Sequence, residues 1–172
     1  MLYETTMSTP VGVLTLVASD VGLRAVLWPT EKPNRVRLDD CDGGGSDPNG
    51  VLDQTRQQLS EYFAGTRTEF DLALDPQGTE FQQAAWMALR SIAFAESVSY
   101  GEQARRMGDG RKARAVGAAN GRNPLSIVVP CHRVVGADGS LTGFAAGIDA
   151  KKWLLSHERL VADAQGSAAH SN

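Results

Sequence analysis

The sequence of 172 residues predicts an α+β fold, in which a small domain with an antiparallel sheet precedes a mainly helical domain. Apolar residues alternate within residues 1–28, as short antiparallel strands require. After residue 79 the apolar spacing becomes helical. Between the two patterns lies Asp75-Pro76-Gln77-Gly78, where proline cannot continue a strand ladder and glycine loosens the connection. We therefore expect an N-terminal domain over 1–75 and a C-terminal domain over 79–161.

The N-terminal half is predicted to hold two or three strands within residues 1–28 and one helix over 51–64, which ends at Gly65. Residues 70–74 have a further strand-like pattern. The intervening residues 31–50 are polar and rich in glycine, so we expect a flexible loop that buries nothing.

The C-terminal half is predicted to contain three short helices, followed by a last helix over residues 149–160. Thr79 and Gln82 have capping-box spacing at the start of the first helix, as do Ser99 and Glu102 at the start of the second. A glycine turn at 108–110 leads into a third helix over 111–120. Two short helices joined in this way are typical of a helix-turn-helix, although an ordinary helical hairpin fits the pattern equally well. Residues 162–172 are predicted to be a disordered tail.

The charge is unevenly distributed. The chain carries −3 overall, whereas residues 99–133 hold seven basic and two acidic residues, a local +5 that leaves −8 elsewhere. The predicted 111–120 helix combines basic residues with small ones: Arg111, Lys112 and Arg114, with Ala113, Ala115, Gly117, Ala118 and Ala119. A thin basic helix can approach a nucleic-acid backbone closely. Tight helix packing would explain the small residues but not the basic ones.

A candidate reactive centre follows the apolar run 125–129, which we expect to be a buried strand. It delivers Pro130-Cys131-His132-Arg133, where a neighbouring proton acceptor and positive charge predict a lowered pKa for the Cys131 thiol, hence a nucleophile. A buried packing cysteine is the alternative. Cys41 is predicted to be a free thiol, because neither cysteine has the CxxC spacing of a structural zinc site.

Several motifs occur together in order between residues 81 and 160, and jointly they are specific. They are Phe81-Gln82 with Trp86, Ser99-Tyr100-Gly101-Glu102, Ala113-Arg114-Ala115-Val116-Gly117, Asn123-Pro124, Pro130-Cys131-His132-Arg133-Val134, and Trp153-Leu154-Leu155 before His157-Glu158. In these motifs the chain resembles the O6-alkylguanine-DNA alkyltransferase (methylated-DNA–protein-cysteine methyltransferase) family. The resemblance implies a ribonuclease-H-like N-terminal domain, matched here only in layout, and a winged helix-turn-helix-like C-terminal domain.

The resemblance implies a DNA-repair reaction in which an alkyl group passes irreversibly from O6-alkylguanine in duplex DNA to Cys131. The damaged base would first be flipped out of the stack. His132 would act as the base through a water molecule, and Glu158 would orient the imidazolium. Tyr100 would donate to N3 of the leaving guanine, and Asn123 would brace the turn that carries the cysteine.

The resemblance also implies contacts with DNA and with the flipped base. Arg114 would fill the vacated stack from the minor groove, and the other expected DNA-binding residues are Arg111, Lys112, Ala113, Ala115, Gly117, Arg122 and Arg133. The base pocket would be formed by Tyr100, the Val134 carbonyl, Phe144, Ala145 and Ala146.

The chain departs from the family pattern at two places. In the loop Gly143-Phe144-Ala145-Ala146-Gly147, Ala146 replaces a usual glycine, so we expect bulky adducts such as benzyl to be accepted poorly. Ala93-Phe94-Ala95 replaces a usual Pro-Tyr-Gly, which leaves the conformation of this turn open.

Some members of the family that the chain resembles bind zinc through N-terminal Cys and His residues, whereas all three histidines here follow residue 130. We therefore expect no metal, and we expect no cofactor. No apolar run is long enough to cross a membrane and no secretory signal pattern is present, so we expect a cytoplasmic protein. We also expect a monomer, with cooperative binding to DNA left open. Three alternatives remain: a non-catalytic winged-helix DNA binder or damage sensor, a cysteine hydrolase, and the same chemistry on another adduct such as O4-alkylthymine.

Overall fold

The computed structural model describes residues 1–141 and 144–170, the last four of them by backbone alone. The α+β prediction is confirmed. The helices and strands are β1 (Tyr3–Thr9), β2 (Gly12–Ala18), β3 (Leu23–Leu27), α1 (Val51–Ala64), α2 (Glu80–Leu89), β4 (Val98–Ser99), α3 (Tyr100–Arg106), α4 (Ala113–Gly121), β5 (Val134–Val135) and α5 (Ile148–His170).

The N-terminal sheet is antiparallel, in the order β1-β2-β3, with an irregularity in register at Val17 and Ala18. Apolar side chains on one face join a core that also includes residues of α1, α2 and α5, such as Leu52, Leu89 and Leu154. The two halves of the chain therefore share one apolar core, which fixes the sheet relative to the helices.

The prediction that the 31–50 loop buries nothing is wrong. Val36, Leu38 and Cys41 are partly buried against the second face of the sheet, where Leu2, Val17 and Ala25 form a small cluster. The loop covers this face because its apolar side chains would otherwise be exposed to water, which is unfavourable.

The same loop also begins helix α1. The Asp47 carboxylate accepts hydrogen bonds from the backbone N–H groups of Val51, at 3.0 Å, and Leu52, at 2.9 Å. These donors would otherwise lack partners in the first turn. The loop is therefore tied to the domain at both its apolar and its polar residues.

Two predicted strands are wrong. In residues 70–74 only Leu74 forms a bridge, a single one with Leu23. The apolar run 125–129 is buried but turns sharply, with Leu125 bridged to Val26 and Ser126 bridged to Val129. Both segments pack apolar side chains without extending a ladder, so apolar content alone gave the wrong conformation.

The predicted capping residues Thr79 and Ser99 begin helices α2 and α3. Thr79 and Gln82 form a complete capping box at α2, whereas Ser99 accepts from Glu102 N and the Glu102 carboxylate instead pairs with Arg105 and Arg106. Helices α3 and α4 are joined by a turn and a short 3₁₀ segment, Gly110–Lys112. Residues 98–99 and 134–135 form a two-stranded parallel sheet beside them.

Helix α5 continues to His170, so the prediction of a disordered tail over 162–172 is wrong for 162–170; residues 171 and 172 lie outside the described residues. Alanine-rich sequence in this segment favours helix, and Val161 packs near Gly65 at the end of α1. Within the described part of the chain, no helix is both long and apolar enough to span a bilayer.

Candidate active site and DNA-binding face

Cys131 lies at the start of a 3₁₀ turn, Cys131–Arg133, and is 9% exposed. The preceding turn is tight: Ile127 has φ 74°, unusual for a β-branched residue, and Val128 N donates to Ser126 O at 2.9 Å. The amide of Asn123 closes this turn by donating to Val129 O at 2.9 Å and accepting from Leu125 N at 3.0 Å. The turn therefore presents the sulfur from a fixed backbone.

The Cys131 thiol is protonated at rest, contrary to the sequence-based expectation. Burial raises its pKa above the ordinary 9.0, and the hydrogen bond with Asn123 and the charges of Lys151 and Arg35 do not offset that effect. The sequence showed the positive neighbours but not the loss of water around the sulfur. A base is therefore needed to make the thiolate.

His132 and Glu158 form a fully buried pair, with His132 Nε2 2.6 Å from Glu158 Oε2. Burial lowers the pKa of His132 below its ordinary 6.5, despite the opposing effect of Glu158. The imidazole is therefore neutral near pH 7. Its Nδ1 forms no hydrogen bond within the part of the chain that the structure describes, so it can accept a proton.

Glu158 accepts further hydrogen bonds inside this cluster. Arg133 donates from Nε at 2.8 Å and from Nη2 at 3.1 Å, Ala95 N donates at 3.0 Å, and Tyr62 OH at 2.7 Å. Burial by itself would raise the pKa of Glu158, but the hydrogen bonds from His132 and Arg133 outweigh it and hold that pKa well below the usual range. The carboxylate is therefore ionised at any physiological pH.

The expectation that Arg133 contacts DNA is wrong. Its side chain is 7% exposed, and besides Glu158 it donates to Ile92 O at 2.8 Å. A buried carboxylate needs a compensating charge, and Arg133 supplies it.

Ala95 occupies the turn that the sequence left open. Its φ is 65°, a left-handed value that suits glycine, and its N–H points at Glu158 Oε1. The turn thus forms without the usual glycine, at some cost in strain.

Sequence reasoning missed Lys151, which is 1% exposed on the inner face of α5. Its ammonium donates to Val134 O at 2.6 Å and lies 5.9 Å from the centre of the Phe144 ring. The spacing of Lys151, Leu154 and Glu158 on one helix face was the signal that could have found it. In this structure the Val134 carbonyl is already hydrogen-bonded.

Two N-terminal residues missed from the sequence also support the site. Trp28 donates from Nε1 to Ser126 Oγ at 3.0 Å, and its ring meets Phe144 edge-on at 5.6 Å. Arg35 donates to Asn123 O at 2.8 Å and pairs with Glu31. These contacts are separated by about half the chain, so no local pattern reports them.

The pocket residues Phe144, Ala145 and Ala146 are partly buried against the core. Ala146 is not among the residues with positive φ, so its backbone does not need a glycine in this conformation. Thr142 and Gly143 lie outside the described residues.

Helices α3 and α4 form a face with exposed basic residues. Arg114 and Ala115 are exposed on α4, whereas Ala113 and Gly117 are half-buried. A Cβ at Gly117 would lie 3.6 Å from the Tyr100 ring, so the small residue brings the helix close to this candidate donor.

The remaining basic candidates surround this face. Arg111 is exposed and pairs with Asp109, the Lys112 ammonium lies 5.7 Å from the Phe81 ring centre, and Arg122 donates to Asn34 O at 3.1 Å. Among the described residues, no three His, Cys, Asp or Glu side chains are arranged to hold a metal ion.

Comparison with known proteins matches both halves of the chain. Residues 2–76 match the ribonuclease-like domain of 6-O-methylguanine DNA methyltransferase, and residues 80–160 match its DNA binding domain. Methylated-DNA–protein-cysteine methyltransferases of Mycolicibacterium paratuberculosis and Methanosarcina acetivorans are 46% and 40% identical, covering 92% and 91% of this chain and 93% and 98% of theirs.

A solved structure is similar over the same extent. The crystal structure of Mycobacterium tuberculosis OGT in complex with DNA has a TM-score of 0.81 and 43% identity, covering 92% of this chain and 94% of that one. Sequence and architecture thus agree over both domains, and the chain belongs to the 6-O-methylguanine DNA methyltransferase family, the DNA-repair enzymes known as methylated-DNA–protein-cysteine methyltransferases.

Proposed function

We propose that Cys131 is the acceptor cysteine and that it takes the alkyl group from O6-alkylguanine in duplex DNA, once per protein molecule. The observation that carries this assignment is the buried His132–Glu158 pair, at 2.6 Å, in which His132 directly follows a cysteine on a turn that Asn123 braces. Within the part of the chain that the structure describes, Cys41 has no comparable base, because its one hydrogen bond there is a 3.9 Å contact with Asp39 O.

The reaction begins with a proton transfer. His132 Nδ1 takes the Cys131 proton, through a water molecule, and Glu158 stabilises the imidazolium through Nε2. Because Arg133 and Tyr62 already hold the Glu158 carboxylate, this charge partner needs no rearrangement as the imidazolium forms.

The thiolate then attacks the alkyl carbon in line with the C–O6 bond. The new Sγ–C bond forms as the C–O6 bond breaks, and its electron pair passes to the guanine ring. Tyr100 supplies a hydrogen bond or proton at N3, so the departing guanine does not leave as a free anion. None of these reaction steps cleaves the thioether, so each protein molecule reacts once.

Cys131 can reach the damaged base only after that base has left the stack of the DNA double helix. The exposed Arg114 on the thin helix α4 fills the space in the stack, and α4 approaches from the minor groove. The DNA backbone is contacted by the exposed Arg111, Lys112 and Arg122 and by the small residues Ala113, Ala115 and Gly117. Phe144, Ala145, Ala146 and the Val134 carbonyl enclose the base, for which Lys151 must release or share that carbonyl.

The assignment is tested by incubating the protein with duplex DNA that carries one O6-methylguanine. Mass spectrometry of the peptide containing Cys131 should show a gain of one methylene, and the variant Cys131→Ala should gain none anywhere in the chain. Modification at Cys41, or none with excess lesion, contradicts the proposal. A parallel duplex with O4-methylthymine decides whether that adduct is also a substrate.

The proposal also covers the state of the protein: a cytoplasmic monomer without metal, in which both cysteines remain reduced. Sedimentation with and without DNA measures the oligomeric state and any cooperative binding.

A further inference from the structure

One hydrogen bond links the N-terminal domain to the candidate catalytic pair. The Tyr62 hydroxyl, on α1, donates to Glu158 Oε2 at 2.7 Å. This is the same oxygen that lies 2.6 Å from His132 Nε2. A residue 96 positions away in sequence therefore shares the carboxylate atom that contacts the base.

The position of this hydroxyl is closely fixed. Tyr62 is 0% exposed, and its ring packs against Phe63, Phe70, Phe94 and His157 at centroid distances of 5.3, 5.7, 6.2 and 5.2 Å. His157 Nε2 also lies 2.7 Å from Tyr62 O. Phenylalanine would satisfy the packing, and a buried hydroxyl is costly unless it is hydrogen-bonded. Here the Tyr62 hydroxyl has Glu158 as its hydrogen-bond acceptor.

We propose that Tyr62 is a positioning residue for alkyl transfer, which acts through Glu158 to set the orientation and the proton affinity of His132. This inference rests on the proposed function and extends the catalytic machinery into the N-terminal domain. Tyr62 itself contacts neither the thiol nor the alkyl group.

The direction of the effect follows from the charges around Glu158. The carboxylate accepts hydrogen bonds from Tyr62, Arg133, Ala95 and His132. Among the described residues, Arg133 and Lys151 are the positive charges that act on the imidazole, and Cys131 precedes it in sequence. Each donor withdraws negative charge from the carboxylate. Without the Tyr62 donor, the carboxylate is less neutralised and stabilises the imidazolium more, so His132 is protonated at a higher pH.

The test measures single-turnover alkyl transfer against pH for the wild type and for Tyr62→Phe. The acid limb should move to higher pH, and the rate at a fixed pH on that limb should fall by roughly threefold to tenfold, the usual net effect of one hydrogen bond. Tyr3→Phe is the matched control, because Tyr3 OH donates to Asp20 at 2.8 Å in the same domain. Its profile should coincide with that of the wild type.

Coupling through Glu158 is tested by a double-mutant cycle. In a Glu158→Gln background, Tyr62→Phe should cause no further shift of the acid limb. Superimposable profiles for wild type and Tyr62→Phe, or an equal shift in both backgrounds, overturn the inference. A purely structural loss would change the melting temperature and leave the acid limb in place.

Two further measurements keep the inference separable from the proposed function and from folding. NMR titration of the His132 ring, without DNA, should show its protonation moved to higher pH in Tyr62→Phe; this holds even if the wild type transfers no alkyl group. Replacing Tyr62 by 3-fluorotyrosine keeps the ring and strengthens the donor, so the titration should move to lower pH. A shift in the same direction as Tyr62→Phe, or none, contradicts the inference.

Discussion

Asn123 and Val129 are joined by a 2.9 Å hydrogen bond across the base of the turn that carries Cys131. The bond is buried, and it forces residues 125–128 into a loop that contains the left-handed Ile127. The position of the sulfur therefore depends on an amide eight residues before it.

Removing this amide should weaken both fold and reaction. Asn123→Ala removes the two buried hydrogen bonds that the amide makes with Val129 O and Leu125 N, which should cost about 1–3 kcal/mol in the free energy of unfolding. Transfer to Cys131 should slow because the turn is no longer held. Asn49→Ala, at an exposed amide that donates to Asp20 O, is the control for denaturant unfolding. Equal stability of the two variants would show that the turn needs no brace.

The rate of transfer should be insensitive to pH between the ordinary pKa values of histidine and cysteine, 6.5 and 9.0. The His132 pKa is lowered, so its neutral form persists below 6.5 and the rate falls only at more acid pH. The Cys131 pKa is raised, so the thiol does not ionise unaided in this window. In His132→Ala the rate should instead rise about tenfold per pH unit, because only free thiolate reacts. A flat profile in that variant would remove His132 from the mechanism.

Glycine should stabilise the strained turn at residue 95. Ala95→Gly relieves a left-handed alanine while keeping the N–H bond to Glu158, so we expect about 0.5–1 kcal/mol of added stability after the entropy of the unfolded chain is counted. Ala137→Gly, at an exposed alanine without positive φ, should destabilise by a similar amount. Thermal unfolding compares the two, and a loss in both would mean that residue 95 carries no strain.

Arg114 should matter for duplex DNA and not for the chemistry itself. Arg114→Ala should weaken DNA binding and slow repair of duplex O6-methylguanine, since the vacated stack is left unfilled. Reaction with free O6-benzylguanine base should be unchanged. Arg56→Ala, an exposed arginine on α1, should leave both reactions as they are. Slower reaction of Arg114→Ala with the free base would place Arg114 in the pocket instead.

Adduct size should affect the rate. The Phe144 ring contacts Trp28 and Lys151, and Ala146 adds a methyl group to the same loop, so duplex O6-benzylguanine should react more slowly than O6-methylguanine. Ala146→Gly should narrow the difference. Because Ala146 has an ordinary φ, any gain would come from space and not from backbone freedom. Equal rates for the two adducts in the wild type would contradict this prediction.

Local chemistry controls several features of this protein, and these could be predicted from the order of its residues. Helix α2 begins at its capping box, Gly65 ends α1, the alternation near the N-terminus gives the three-stranded sheet, and ordered motifs identified the family. Each depends on neighbours within a few residues, which periodicity and spacing report directly.

Which groups lose contact with water, and which distant residues come together, became known from the folded chain alone. Burial raised the pKa of Cys131 where its basic neighbours predicted the opposite, and it turned Arg133 from a candidate DNA contact into the partner of Glu158. Tyr62 and Lys151 reach the site from separate helices. Desolvation and long-range pairing depend on how the whole chain packs, so a local pattern does not contain them.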